Sequence, residues 1–159
     1  MASDSGFRPP KLGVGMIYAI ELEPFLGAHE NLVDVLELEP QTLWLADDPI
    51  AGPFSEFDAG MDRFARWPAR KLVHSVGTPL GGTRRPSAPQ AALVRRAAER
   101  FGSPWVSEHL SVAGTPHQAA GFLLPPLQTD EGVAVAASNI RALRVAVGRP
   151  VAIETGVSY

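Results

Sequence analysis

The stretch TDEGVAVAASNIRALRVAVGRPVAIE, residues 129–154, decides the fold, because it contains one complete helix followed at once by one strand. Thr129 is a typical N-cap, acidic residues suit the first turn after it, and Gly148 is typical of the position just past a helix end. The residues between them are mostly apolar. After a proline, the run VAIE at 151–154 predicts a buried strand. The stretch is therefore one α-then-β unit.

The same alternation of strands and helices recurs upstream. Short apolar runs bounded by Gly and Pro predict strands over residues 12–18, 33–39, 71–77, 104–112 and 151–154. Helical spacing predicts helices over residues 21–32, 55–67, 90–101 and 130–147. Ser55 and Asp58 predict a capping box for the second helix, whereas we interpret residues 40–53 and 113–128 as irregular loops.

This order of elements indicates an α/β fold built from parallel (β/α) units of the TIM-barrel type, with five strands, four helices and an incomplete barrel. A closed barrel needs about 250 residues, and this chain has 159. The alternative is an open doubly wound sheet, but the first turn reads GVGM instead of GxGxxG. We expect residues 1–10 to form a flexible leader and residues 11–159 to form the partial barrel domain.

Composition restricts the classes of function. The chain is 45% hydrophobic and 19% charged, which is ordinary for a globular domain. A net charge of -3 gives no general attraction to nucleic acid or to anionic lipid. The absence of cysteine excludes disulfides, Fe–S ligation and thiol catalysis. Without a signal peptide or an apolar run of membrane-spanning length, we expect a cytoplasmic protein with no nucleic-acid or membrane partner.

Three of the predicted strands end in side chains that bind metals: His74 in KLVHS, His109 in WVSEHL and Glu154 in VAIET. Side chains alternate along a strand, so all three can point to one face, and we expect them at one height on neighbouring strands. Two imidazoles and a carboxylate are the ligands of hydrolytic zinc sites and of the facial iron triad. The residues alone leave the metal open. Each side chain can instead be a hydrogen-bonded or ion-paired structural residue.

Three glutamates are further candidates. Glu37 and Glu39 share one face of the second strand, where they either line a pocket or are exposed at a sheet edge. Glu108 precedes His109 and alternates to the opposite face, where it can support the histidine or form a salt bridge. These residues are candidates for substrate contact or for support of the metal ligands.

The run of segments is more specific than any single motif. In order, the segments are LGVGMIY, VDVLELEP, KLVHSVGTPLGG, WVSEHLSV, FLLPPLQTDEGVAVAASNIRALRVAVGRPVAIET and VSY. They resemble the DUF692 family, also called multinuclear non-haem iron-dependent oxidative enzymes. The similarity covers almost the whole chain but only the amino-terminal half to two-thirds of the family's barrel. It implies a TIM-barrel enzyme with more than one iron, which uses oxygen to modify ribosomally made precursor peptides, often at Cys, commonly with a peptide-binding partner protein.

The resemblance assigns iron ligation to His74 in HSVG, to His109 in EHL and to Glu154 in the family's ENPSSY-like motif. Thr155 stands where that motif has Asn and Gly156 where it has Pro, which implies the loss of an amide contact at a position beside the substrate or behind the ligands. The strands that supply the family's other Asp, His and Glu ligands are absent from this sequence.

We therefore expect an iron-dependent oxidative enzyme that modifies a precursor peptide, present as a truncated or half-barrel form. A half barrel leaves sheet edges and an apolar face uncovered, so we expect self-association or a complementing chain. A non-catalytic relic or peptide-binding subunit is the first alternative. A divalent-metal isomerase or hydrolase on a similar barrel is the second, with zinc or manganese as its metal.

Overall fold

The computed structural model describes residues 6–48, 52–85, 87–116 and 118–156. The strands of this part of the chain are β1 (Gly15–Ile17), β2 (Val35–Leu38), β3 (Trp44–Ala46), β4 (Phe54–Glu56), β5 (Arg70–Ser75), β6 (Val106–Leu110), β7 (Val112–Thr115), β8 (Gln118–Leu124) and β9 (Val151–Thr155). The α-helices are α1 (Glu23–Ala28), α2 (Asp58–Ala65), α3 (Ala88–Arg100) and α4 (Asp130–Val147).

The central sheet contains five parallel strands in the order β1-β2-β5-β6-β9. Strands of this sheet that are consecutive along the chain are also neighbours in the sheet. An α-helix connects each strand to the next. A doubly wound sheet reverses its strand order at a switch point, and this sheet has no reversal. The predicted α/β fold is thus confirmed, and the described strands form an open arrangement consistent with an incomplete TIM-type barrel.

The helices cover one face of this sheet. One apolar cluster joins Val73 and Val106 of the sheet to Val94 of α3 and Leu143 of α4. A second cluster packs β2 against α1 and α2 through Leu26, Leu36, Leu38, Met61 and Phe64. Because side chains alternate along each strand, the residues between these core positions point to the other face. That helix-free face carries His74 and His109.

Two antiparallel hairpins lie largely where the sequence predicted irregular loops, and β4 also takes up the start of the helix predicted over 55–67. Strand β3 pairs with β4, and β7 pairs with β8 with a register shift between Val112 and Gly114. The predicted strand over 104–112 ends at Leu110, and Val112 already belongs to β7. The glycines that suggested a loop instead mark the irregular part of the hairpin, since Gly114 and Gly121 have φ of 130° and 78°.

Three of the four helices have other bounds than predicted: α1, α2, and α3, which spans 88–100 and not 90–101. The helix predicted over 21–32 is one α-helical segment between two 3-10 turns, because the backbone of His29 leaves the helical conformation. The capping box predicted at Ser55 is wrong, since Ser55 lies in β4 and α2 begins without a side-chain cap. At α4 the predictions are confirmed: Thr129 accepts a hydrogen bond from the Gly132 amide, and Gly148 has φ of 66°.

The capping box lies instead at the start of α3, where Ser87 and Gln90 bond each other's backbone amides. We expect Ser87→Ala to lower the free energy of unfolding by about 1 kcal/mol, because it leaves an amide of the first turn without its acceptor. Ser55→Ala is the matched control, with an expected change within about 0.5 kcal/mol. Urea unfolding of both variants measures these changes. Equal losses of unfolding free energy in the two variants would mean that Ser87 does not cap α3.

Two further predictions concern the chain as a whole. Residues 6–10 of the predicted leader have no regular secondary structure, and the Phe7 ring lies 6.4 Å from that of Trp105. The boundary between leader and domain stays a prediction. Within the described residues, no helix combines the length and the apolar character needed to cross a membrane.

Candidate metal centre

The three predicted ligands lie at the carboxyl ends of neighbouring strands. His74 is on β5, His109 on β6 and Glu154 on β9, and one ligand atom from each lies within 4.8 Å of the others. His74 Nε2 is 3.4 Å from Glu154 Oε2, and His109 Nε2 is 3.9 Å from Glu154 Oε1. Donors of a tetrahedral ion with bonds of about 2.1 Å lie about 3.4 Å apart, and neighbouring donors of an octahedral ion lie about 3.0 Å apart. Movement of the exposed Glu154 side chain and rotation of the imidazoles would therefore be needed to close this set around one ion.

The three side chains do not stand at one height. His109 pairs with Glu154 across β6 and β9, whereas His74 pairs with Ser107, two residues earlier on β6. His74 is therefore offset from His109 and Glu154 by two residues along the strands, so the equal height expected from the sequence is wrong for His74. The offset arises because neighbouring strands of a barrel-type sheet are staggered. The imidazoles span this step, with ring centroids 4.6 Å apart at an interplanar angle of 70°.

Ser107 contacts the Nδ1 side of the His74 ring. His74 Nδ1 lies 2.9 Å from the Ser107 hydroxyl, and this hydroxyl accepts from Nδ1–H whenever it donates to the Val73 carbonyl at 3.4 Å. In that arrangement the lone pair of His74 is on Nε2, which faces Glu154 and is free for a metal ion bound between them. Burial lowers the pKa of His74, as does the neighbouring His109, while Glu154 acts in the opposite direction. His74 is therefore held in the neutral form that binds metals.

His109 is backed by a buried carboxylate. Glu108 is fully buried, and its Oε1 lies 3.4 Å from His109 Nδ1, while Nε2 of the same ring faces Glu154. The Thr78 backbone and hydroxyl donate to Glu108 Oε2 at 2.9 Å and 2.5 Å, and the His109 amide donates to Oε1 at 2.8 Å. Burial raises the pKa of Glu108, and these donors oppose that shift.

Comparison with known proteins places the chain in a family. A family model described as RiPP precursor modification enzyme MbnB/TglH/ChrH matches residues 55–159, which is more than half of the chain and includes all three candidate ligands. The chain belongs to this family, the DUF692 family.

Curated relatives of this DUF692 chain are proteins named UPF0276. The one from Streptomyces avermitilis is 28% identical over 139 residues, which are 81% of this chain and 28% of the relative. The one from Chromobacterium violaceum is 33% identical over 93 residues, 58% of the chain and 33% of the relative. The one from Caulobacter vibrioides is 25% identical over 154 residues, 97% of the chain and 49% of the relative. The chain thus spans from about a quarter to a half of these relatives' length.

The DUF692 family is metal-dependent, and the donor set of this chain fits a metal ion. His74 has its Nδ1 engaged by Ser107, and His109 has its Nδ1 turned to Glu108, so both rings present Nε2 to Glu154. Glu154 is 57% exposed and is free to adjust. The assignment of these residues as ligands remains a prediction, and the geometry is compatible with it.

The other predicted site residues lie around this centre. Glu37 is half-buried on β2, and burial, followed by the charges of Glu154 and Glu39, raises its pKa. Glu39 precedes a 3-10 turn, and its carbonyl accepts from the Thr42 hydroxyl at 2.7 Å. Thr155 alternates away from Glu154 and lines a cavity of about 980 Å³ that also reaches His109. Glu37 is therefore close enough to Glu154 for the two carboxylates to repel each other, which a cation bound among the ligands would relieve.

Sequence reasoning missed the residues that orient the two histidines. Thr78 follows β5 in the GTPLGG loop and contacts Glu108, 30 residues away. Ser107 lies two residues before His109, on the same face, and is the pairing partner of His74. Ser107 had a signal in its position on the ligand face. Thr78 had none, because the path of a loop is not readable from local pattern.

Proposed function

We propose that this chain carries the metal-binding part of an iron-dependent oxidative enzyme that modifies a ribosomally made precursor peptide, often at Cys. His74, His109 and Glu154 hold a non-haem iron ion in this proposal. The observation that carries it is the convergence of three donor atoms within 4.8 Å at the ends of three parallel strands. Membership of a family described as RiPP precursor modification enzymes supports the substrate class.

The donor set suits this chemistry. Two histidines and one carboxylate on one face of an ion leave the opposite positions open, as in non-haem Fe(II) oxygenases. Iron, when bound there, would supply oxygen activation and a coordination position for a substrate thiolate. The chain's own residues would supply two imidazoles, a carboxylate that offsets the charge of the ion, and Glu37 on the neighbouring strand β2 with Glu39 just after it.

The proposal includes partners. A complete site of the family holds more than one iron, so it takes ligands beyond the three described here, and we propose self-association or a complementing chain among the partners. Sheet edges at β1 and β9 and exposed apolar residues on and before α4 support association, among them Leu127 at 70%, Val133 at 66% and Val145 at 83% exposure. A precursor peptide and a separate peptide-binding protein are the other partners that we propose.

The test is elemental analysis of protein purified without oxygen, with the molecular mass measured in the same preparation. We expect iron at about one ion per chain, or more in an assembly whose subunits complete the site. Zinc or manganese, with no dependence of activity on oxygen, would favour an isomerase or hydrolase instead. Folded protein that binds none of these metals would overturn the proposal and favour a relic or a peptide-binding subunit.

A further inference from the structure

We propose that Glu108, held in place by Thr78, is a positioning residue that selects the tautomer of His109 in which Nε2 carries the lone pair. The consequence for metal binding rests on the proposed function, since it requires a metal at Nε2. The tautomer itself is a property of the metal-free chain, so it is testable whether or not a metal binds.

The hydrogen-bond donors around Glu108 favour its acceptor role. It lies on the helix side of β6 with no exposed surface, paired with Ser75 of β5. Three donors already point at its carboxylate: the Thr78 amide, the Thr78 hydroxyl and the amide of His109. Two of these are backbone N–H groups, which cannot reverse their direction. Such an arrangement stabilises a carboxylate whose burial would otherwise be costly.

The hydroxyl donor at Glu108 is itself ordered by a chain of hydrogen bonds. Thr78 gives its hydrogen to Glu108, so the 3.2 Å contact between Ser75 Oγ and Thr78 Oγ1 has Ser75 as donor. Ser75 then accepts from Gln41 Nε2 at 2.7 Å. Every bond in the chain Gln41–Ser75–Thr78 therefore runs toward Glu108. Aligned bonds of this kind polarise one another and strengthen the last one.

His109 Nδ1 is the fourth group that faces the Glu108 carboxylate. Its Nδ1 is buried and has no hydrogen bond among the described residues, and Glu108 Oε1 stands 3.4 Å away. If Nδ1 carried the lone pair, that lone pair would face a negative oxygen in a buried site. If Nδ1 carries the hydrogen, closure by about 0.6 Å makes a charge-assisted bond of about 2.8 Å. The Nδ1–H tautomer is therefore favoured.

The two histidines reach the same state by different means. Ser107 holds Nδ1–H of His74 with a neutral hydroxyl, whereas Glu108 holds that of His109 with a carboxylate. Carboxylates behind metal-binding histidines orient the ring and increase its basicity, and their removal weakens metal binding about 10–100-fold. We expect Glu108 to act in this way through His109, without touching the metal.

The first test uses nitrogen NMR of metal-free protein with labelled histidine, at mildly alkaline pH where the imidazoles are neutral. We expect wild-type His109 to be in the Nδ1–H form. In Glu108→Gln an amide replaces the charge, and its NH₂ group competes to face the ring, so the Nε2–H form becomes populated. Thr78→Val, which keeps the backbone donor, shifts the same equilibrium less. Ser107→Ala is the matched control and changes His74 but not His109.

A titration with zinc ions against a competing chelator gives the second readout. Glu108→Gln is expected to bind zinc about 10–100-fold more weakly than wild type. A wild-type His109 in the Nε2–H form, or a tautomer unchanged by Glu108→Gln, would overturn the inference. If Glu108→Gln does not fold, Thr78→Val takes its place. A His109 tautomer that Thr78→Val leaves unchanged would then overturn the inference. If the predicted tautomers are found and no metal binds, the proposed function fails while the assignment of Glu108 stands.

Discussion

His109→Ala is expected to weaken metal binding by more than about 100-fold, beyond the range found for residues that act behind a ligand. Its Nε2 is one of the three candidate donors, and the two that remain would not hold an ion against water. The fold should survive, because the His109 side chain is 18% exposed and lies at a strand end instead of in the apolar core.

The measurement is a metal titration followed by circular dichroism on the same samples. His29→Ala is the matched control, because His29 is exposed, lies outside the site and contacts the Phe25 ring at 4.8 Å between centroids. We expect it to bind metal as wild type does. If His109→Ala retained wild-type affinity, the ion would lie elsewhere and the metal centre described above would be wrong. His74→Ala should show the same loss, with an added cost in stability because His74 is buried.

Phe64→Ala should lower the free energy of unfolding by about 3–5 kcal/mol, the largest stability effect that we expect from one substitution. Phe64 is fully buried under β2, with the Tyr18 ring at 5.0 Å and the Phe101 ring at 4.9 Å between centroids. The ammonium of Lys71 lies 5.5 Å from its ring centre. The loss is a large part of the roughly 5–15 kcal/mol that stabilises a typical domain.

Urea unfolding monitored by fluorescence and circular dichroism measures this loss. Phe122→Ala is the control, since Phe122 is 66% exposed and should cost less than about 1 kcal/mol. Equal losses for the two phenylalanines would mean that α2 and the β2 strand do not form one core. A folded Phe64→Ala variant with normal metal binding would show that the apolar cluster around Phe64 stabilises the sheet but is not needed for the metal centre.

Local pattern was enough for the parts of the fold that depend on neighbouring residues. The cap at Thr129 and the left-handed Gly148 follow from which residues satisfy a helix end. The alternation of strands and helices follows from hydrophobic period, and parallel order follows from the helices between strands. Alternation also placed His74, His109 and Glu154 on one face, which the structure brings together.

Local pattern failed where a choice depended on distant residues. Ser55 had the sequence features of a helix cap, and only the pairing of β4 with β3 shows that it belongs to a strand, whereas the structure has its capping box at Ser87. The β7–β8 hairpin was hidden by its glycines, because a glycine in a bulge and a glycine in a loop look alike in sequence.

The sequence by itself determined the parallel α/β order, the helix-covered core and the placement of His74, His109 and Glu154 on one face at strand ends, since these follow from hydrophobic period and side-chain alternation. Only the tertiary structure decided the stagger of His74 against His109 and the burial of Glu108 beneath Thr78. Stagger depends on how strands tilt against one another, and the Thr78 contact depends on the path of a loop over the sheet. Neither is encoded in the residues next to it in the chain.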